Sequence, residues 1–134
     1  MELAEKIRKA RRIYLIGNGG SYANAEHIAN DLQDCGVRAH SINSAFFSAT
    51  ANDMGYDKSF SRWVGIHGEP GDLLIALSGS GKSPNILNAV EAARLIGMDV
   101  WTEYGAAQGF DMQASEERQI WLGHELLKAL RGPR

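Results

Sequence analysis

The chain has 134 residues, 44% hydrophobic and 22% charged, with a formal net charge of -2. That length suits a single domain over residues 1–134, and that charge excludes a broad electrostatic hold on nucleic acid or an anionic membrane. No run approaches the ~20 apolar residues that span a bilayer. The N-terminus lacks the apolar core of a signal peptide, and the single cysteine, Cys35, excludes an intrachain disulfide framework, so a cytoplasmic location is expected.

Leu3, Ile7 and Ala10 recur at helical spacing, which predicts a short helix over the first dozen residues. The apolar run from Ile13 to Ile16 stops at Gly17 and reads as a buried strand. Residues 21 to 34 follow as a helix with Ser21 placed to cap it. A weaker strand is expected from Val37 to Ile42, then a helix capped by Ser44 that carries Phe46, Phe47 and Thr50 toward Met54. One more helical segment is expected over residues 57 to 66, with Phe60, Trp63 and Val64 on one side.

The Pro70-Gly71 turn announces a strand from Leu73 to Leu77, which a Ser/Gly loop ends. Ile86, Val90 and Ala93 then define an amphipathic helix that Gly97 terminates. Met98 to Trp101 reads as a further strand, residues 103 to 112 as loop, and Gln113 to Leu130 as the last helix. Strands alternating with helices imply βαβ units and a three-layer, flavodoxin-like α/β fold, with a parallel sheet of four to five strands between helical layers. A 2-1-3-4 strand order puts the switch point between the strands ending at Ile16 and Leu77, where ligands of open α/β sheets bind.

Two loops open at that crevice. Gly17-Asn18-Gly19-Gly20-Ser21 leads straight into a helix, where glycines permit close backbone approach and free N–H groups favour an anion. Ser78-Gly79-Ser80-Gly81-Lys82-Ser83 does the same with three hydroxyls, good chemistry for a phosphate. The second loop also fits a relaxed nucleotide-binding P-loop. However, Ala76 stands where the first glycine belongs and no apolar strand ending in a magnesium-binding Asp follows, so no nucleotide cofactor is expected.

These residues resemble phosphoheptose isomerases of the sugar isomerase (SIS) superfamily. The likeness runs through Ile16 to Ser21 with Ala25-Glu26-His27-Ile28-Ala29, and through Thr50 to Tyr56 with Phe60-Ser61-Arg62. It continues through Pro70-Gly71-Asp72, the serine loop to Asn85, and Ile120 to His124. The resemblance implies aldose–ketose isomerisation of sedoheptulose 7-phosphate through an enediol, toward lipopolysaccharide or related heptose precursors. It also implies phosphate held by Ser78, Gly79, Ser80 and Ser83 with Asn18, Gly19, Gly20 and Ser21, and a sugar site lined by Asp53. By motif position Asp31 is the base and His124 the acid, while His27, Asp31, Glu116 and His124 are candidate ligands for zinc or another divalent metal. A homo-oligomer, tetramer or dimer, is implied as well.

Spacing is compatible with these roles. His27 and Asp31 stand one helical turn apart and share a face; Glu116 and His124 are two turns apart. The chain also departs from the family pattern. Asp31 replaces a Glu, Glu116 a Gln, Cys35 an Arg and Lys82 an Asn, and the chain is shorter at both ends of the fold. The alternative is a non-catalytic SIS module that binds a sugar phosphate or a protein partner. A His124 that reaches Asp31 favours the enzyme, whereas one that faces solvent favours the module.

Overall fold

The computed structural model describes residues 1–131. Helix α1 (Glu2–Lys9) leads into β1 (Ile13–Ile16), α2 (Gly20–Asp34), β2 (Ala39–Ser41), α3 (Ser44–Met54) and α4 (Ser61–His67). Then come β3 (Leu73–Ser78), α5 (Pro84–Ile96), β4 (Asp99–Tyr104) and α6 (Met112–Arg131). The sheet order is β2-β1-β3-β4, with every neighbouring pair parallel. The expected 2-1-3-4 order is therefore observed, and four strands form the sheet among the described residues.

Local chemistry explains where the elements differ from expectation. Helix α2 starts at Gly20 with Gly19 in the cap position, so Ser21 lies inside the first turn and is buried instead of capping. Gly19 takes φ 57 and ψ -121, a backbone region reserved for glycine. Asn43 caps α3 in place of Ser44, its side chain accepting from the Phe46 N–H at 2.8 Å. The β2 ladder begins only at Ala39 because the Val37 N–H is taken by Leu32 at the end of α2. Residues 56–58 form a separate single 3-10 turn, since the Ser59 hydroxyl and N–H both bond back to the Tyr56 carbonyl.

β4 runs on to Tyr104, past the expected end at Trp101, pairing with β3 along its whole length. Thr102 is exposed on this edge strand, and the buried Glu103 carboxylate accepts from the Trp101 indole and the Gln108 amide, so neither polar residue breaks it. Asp111 accepts from the Ala114 N–H at 2.8 Å and starts α6 one residue before the expected Gln113.

β3 is buried along all six residues, and its alternating side chains feed two cores. Leu73, Ile75 and Leu77 pack with Leu3, Ile7, Ile28, Leu32, Leu122 and Leu126 under α1, α2 and α6. Leu74 and Ala76 pack with Phe60, Trp63, Val64, Ile86 and Val90 under α4 and α5. No helix among the described residues is long and apolar enough to cross a membrane.

Helices α2 and α6 lie side by side and run the same way. Gly20 meets Glu116, Asn24 bonds to Gln119, and Ile28 meets Gly123, so the contacts climb both helices together. Gly123 has no side chain because a Cβ there would lie 2.7 Å from Cγ1 of the buried Ile28. Replacing it overpacks the seam. Gly123→Val is expected to cost about 1–3 kcal/mol, read as a lower urea midpoint at unchanged m-value.

Candidate functional site

The carboxyl ends of β1 and β3 lead into the two Gly/Ser loops, and these enclose a small cleft. Asn18, Ser21, Ser78, Gly79, Ser80, Ser83 and Met112 line about 50 Å³. A water occupies ~30 Å³ in the liquid, so the cleft suits one small head group, with the remainder of any ligand outside.

The serine loop fixes its own shape. The Ser78 hydroxyl accepts from the Gly81 N–H at 3.0 Å, and the Ser80 hydroxyl accepts from the Lys82 N–H at 3.1 Å. A hydroxyl that accepts still has its own proton to give, so both serines keep a donor for an anion. Ser83 occupies the cap position of α5 without using its side chain as a cap, and Pro84 opens the helix. Gly79 packs under Met112, whose sulfur would lie 2.6 Å from a Cβ there and would have to move to admit one. Lys82 is exposed on the loop.

Asn18 clamps the two loops together more than it reaches outward. Its amide and that of Asn85 exchange two hydrogen bonds of 2.9 Å, and its oxygen also accepts from the Tyr56 hydroxyl at 3.0 Å. Asn85 is fully buried and donates to Ser59 as well. Behind the cleft, Gln119 donates to the Ser21 hydroxyl at 3.0 Å and accepts from Asn24 at 2.9 Å. All three of these side chains are buried, so this polar chain joins α2 to α6 where water does not reach.

Farther along the same seam stands a second group. One ligand atom from each of His27, Asp31 and His124 lies within 4.8 Å of the others. His27 Nε2 is 3.2 Å from Asp31 Oδ2, and the two imidazoles are edge to face with centroids 6.0 Å apart. Asp31 is half-buried and both histidines are exposed. His124 therefore reaches Asp31 and faces solvent at once. Two imidazoles and a carboxylate form a donor set that divalent metals of the zinc type accept.

Two other expected residues stand apart. Glu116 precedes His124 by eight residues, a rise of ~12 Å, and its carboxylate lies against Gly20 at the start of α2, away from the histidine pair. Asp53 does not line the cleft; it is exposed near the end of α3 and accepts from Asn52 at 2.9 Å. Asn85, Tyr56, Gln119 and Met112 were not among the expected site residues. Asn85 closes the serine-loop motif, so its position was visible; the pairing of Gln119 with Ser21 depends on helix packing that periodicity does not encode.

The buried polar chain gives a direct test. Gln119→Leu keeps the volume but strips partners from Asn24 and Ser21, and is expected to destabilise by about 1–3 kcal/mol. Chemical denaturation of the two proteins measures it.

A family profile described as SIS domain matches residues 2–102. A phosphoheptose isomerase of Rhodospirillum rubrum is 41% identical over 111 residues, covering 77% of this chain and 59% of that protein. One from Yersinia pestis is 38% identical over 129 residues, covering 91% of this chain and 66% of that protein. This chain thus spans roughly three fifths of the length of these curated relatives. Among solved structures, the phosphoheptose isomerase of Neisseria gonorrhoeae superposes with a TM-score of 0.86 at 26% identity, over 96% of this chain and 80% of that one. With a matching profile over most of its length and the same parallel sheet and flanking helices, the chain belongs to the SIS domain family.

Proposed function

We propose that this protein is a phosphosugar isomerase that interconverts sedoheptulose 7-phosphate and an aldoheptose 7-phosphate. The observation that carries the reading is the pairing, along one helix seam, of an anion-shaped cleft with a His–Asp–His group. From Ser21 to Asp31 the rise along α2 is ~15 Å, a span that the phosphate ester and an extended seven-carbon chain with bonds of ~1.5 Å approach once the Asp31 side chain leans back toward the helix start. A sugar phosphate anchored by Ser78, Ser80, Ser83 and Ser21 can lay its far end beside Asp31. The phosphoheptose isomerase relatives described above support the same substrate class.

The reaction moves two protons and leaves the oxidation level of the molecule as a whole unchanged. Asp31 takes a proton from C1 of the ketose while His124 gives one to the C2 oxygen, forming the enediol. The O1 proton then leaves as C2 is protonated, and the aldehyde forms at C1. General acid–base steps of this kind contribute ~10²–10⁴ in rate. Exposed histidines and a half-buried carboxylate leave this site open, and we assign its closure to a second copy of the chain in a dimer or tetramer. The proposed setting is the cytoplasm.

His27, Asp31 and His124 would hold zinc or another divalent ion, with metal–ligand distances of ~2 Å requiring small side-chain rotations to draw the three together. A bound ion would stabilise negative charge on the sugar oxygens. Metal binding and proton transfer would use the same Asp31 and His124, so activity is to be measured with and without zinc.

The second reading, a sugar-phosphate-binding module without turnover, is favoured by the exposure of both histidines. Incubation with sedoheptulose 7-phosphate in deuterated water separates the two. Isomerisation is expected, with solvent deuterium entering the sugar, and Asp31→Asn and His124→Ala are each expected to lower the rate by ~100-fold or more. Binding without exchange, with or without zinc, selects the module.

A further inference from the structure

Beside the edge strand β2 lies a larger cavity that shares no residue with the phosphate cleft. It measures about 290 Å³ and is lined by Arg12, Tyr14, His40, Ser41, Asn43, Trp63 and His67. Its groups come from the start of β1, from β2, from the cap of α3 and from the end of α4. None of them takes part in the chemistry proposed above.

The cavity's cation, Arg12, has the Asp72 carboxylate near it, but that carboxylate is engaged elsewhere. Asp72, the nearest buried carboxylate along the chain, spends one oxygen on the Arg12 backbone N–H at 3.1 Å and the other on the Glu69 N–H at 2.9 Å. Glu69 itself pairs with Arg11. Arg12 Nε is buried and has no hydrogen-bond partner among the described residues. That nitrogen is closed to the cavity as well as to solvent, so an oxyanion would meet the guanidinium at its terminal nitrogens.

The remaining walls say what kind of molecule fits. Tyr14 packs edge to face on Trp63 at 5.3 Å and tilted to His40 at 5.7 Å, while Trp63 also meets His67 at 6.1 Å. The Tyr14 hydroxyl is committed to the His67 carbonyl at 3.1 Å. The Asn43 oxygen is committed to its helix cap. Burial, followed by the charges of Arg12 and His67, pulls the His40 pKa down, and Asp72 opposes this only in part. At neutral pH His40 is therefore an uncharged partner, and Arg12 is the standing positive charge, with Asp72 close by. Because Asp72 offsets part of the Arg12 charge, the aromatic cavity matches a monoanion with a flat apolar body better than a phosphate dianion.

We propose that this cavity is a second ligand site, one that takes a small aromatic or otherwise flat monocarboxylate with its carboxylate on Arg12 and its body against Trp63 and Tyr14. Arg–carboxylate pairing is charge-assisted and directional, and the volume stands at the lower end of small-molecule pockets.

Benzoate is the probe, titrated into the intact protein and followed by amide and indole NMR signals. Saturable shifts are expected at Arg12, Ser41 and the Trp63 indole, with the serine loop unmoved. Arg12→Gln is expected to weaken binding by ~10-fold or more, while Ser80→Ala leaves it unchanged. Asn43→Asp retains a cap for α3 and sets a negative charge in the cavity, so it is expected to abolish binding even if Arg12→Gln proves unstable. The proposal is overturned if wild-type protein gives no saturable shift, if the shifts centre on Ser78 to Ser83, or if Asn43→Asp binds benzoate as wild type does. Loss of isomerase activity would not bear on it, because the two sites share no residue.

Discussion

The close, parallel approach of α6 to α2 is the constraint on which the other features of the site rest. It exists because Gly123 offers no side chain to Ile28 and because Gln119 satisfies Ser21 and Asn24 in the interior. A parallel pairing over this length sets Met112 against the serine loop at one end and His124 against Asp31 at the other. Neither end could be moved alone. A shift of one turn in α6 would carry His124 ~5.4 Å along the seam and strand buried polar groups at the same time.

The sheet supplies the other half of the geometry. β1 and β3 are neighbours in register, Ile16 opposite Ala76, so their following loops emerge together. The amide exchange between Asn18 and Asn85 then ties the loops across the switch point. Both loops begin helices, and their serines line the same small space. This is why short hydroxyl side chains suffice there.

Much of this was legible in the residues. The strong apolar runs at Ile13–Ile16 and Leu73–Leu77 have no helical alternative of sufficient length, and their strength marks the first and third strands as the central pair of a 2-1-3-4 order. The two Gly/Ser loops were visible because glycine and serine cluster where strands end. What stayed hidden depends on contacts between distant elements. Ser21 looks like a cap by position, but Gly19 takes the strained turn and frees Ser21 to meet Gln119. Glu116 looks like a partner of His124 by periodicity, yet a separation of two turns carries it to the opposite end of the seam. Thr102 and Glu103 look like loop residues by polarity, but Thr102 is exposed on the edge strand, and Glu103 is buried with bonds from Trp101 and Gln108 to satisfy it.

The direction of α6 has one further effect. Because it starts at Met112, beside Gly79, three helices (α2, α5 and α6) have their first turns around the same cleft. Each helix start carries about half a positive charge from its aligned peptide dipoles. That charge does not titrate, because it belongs to amide groups and not to a side chain. Among the cleft's lining residues none ionises between pH 4 and 10. The dipole part of the cleft's field is therefore fixed over that range, beside the Asp111 and Glu116 carboxylates at the starts of α6 and α2, whereas the guest itself changes: a phosphate monoester gains its second charge near pH 6.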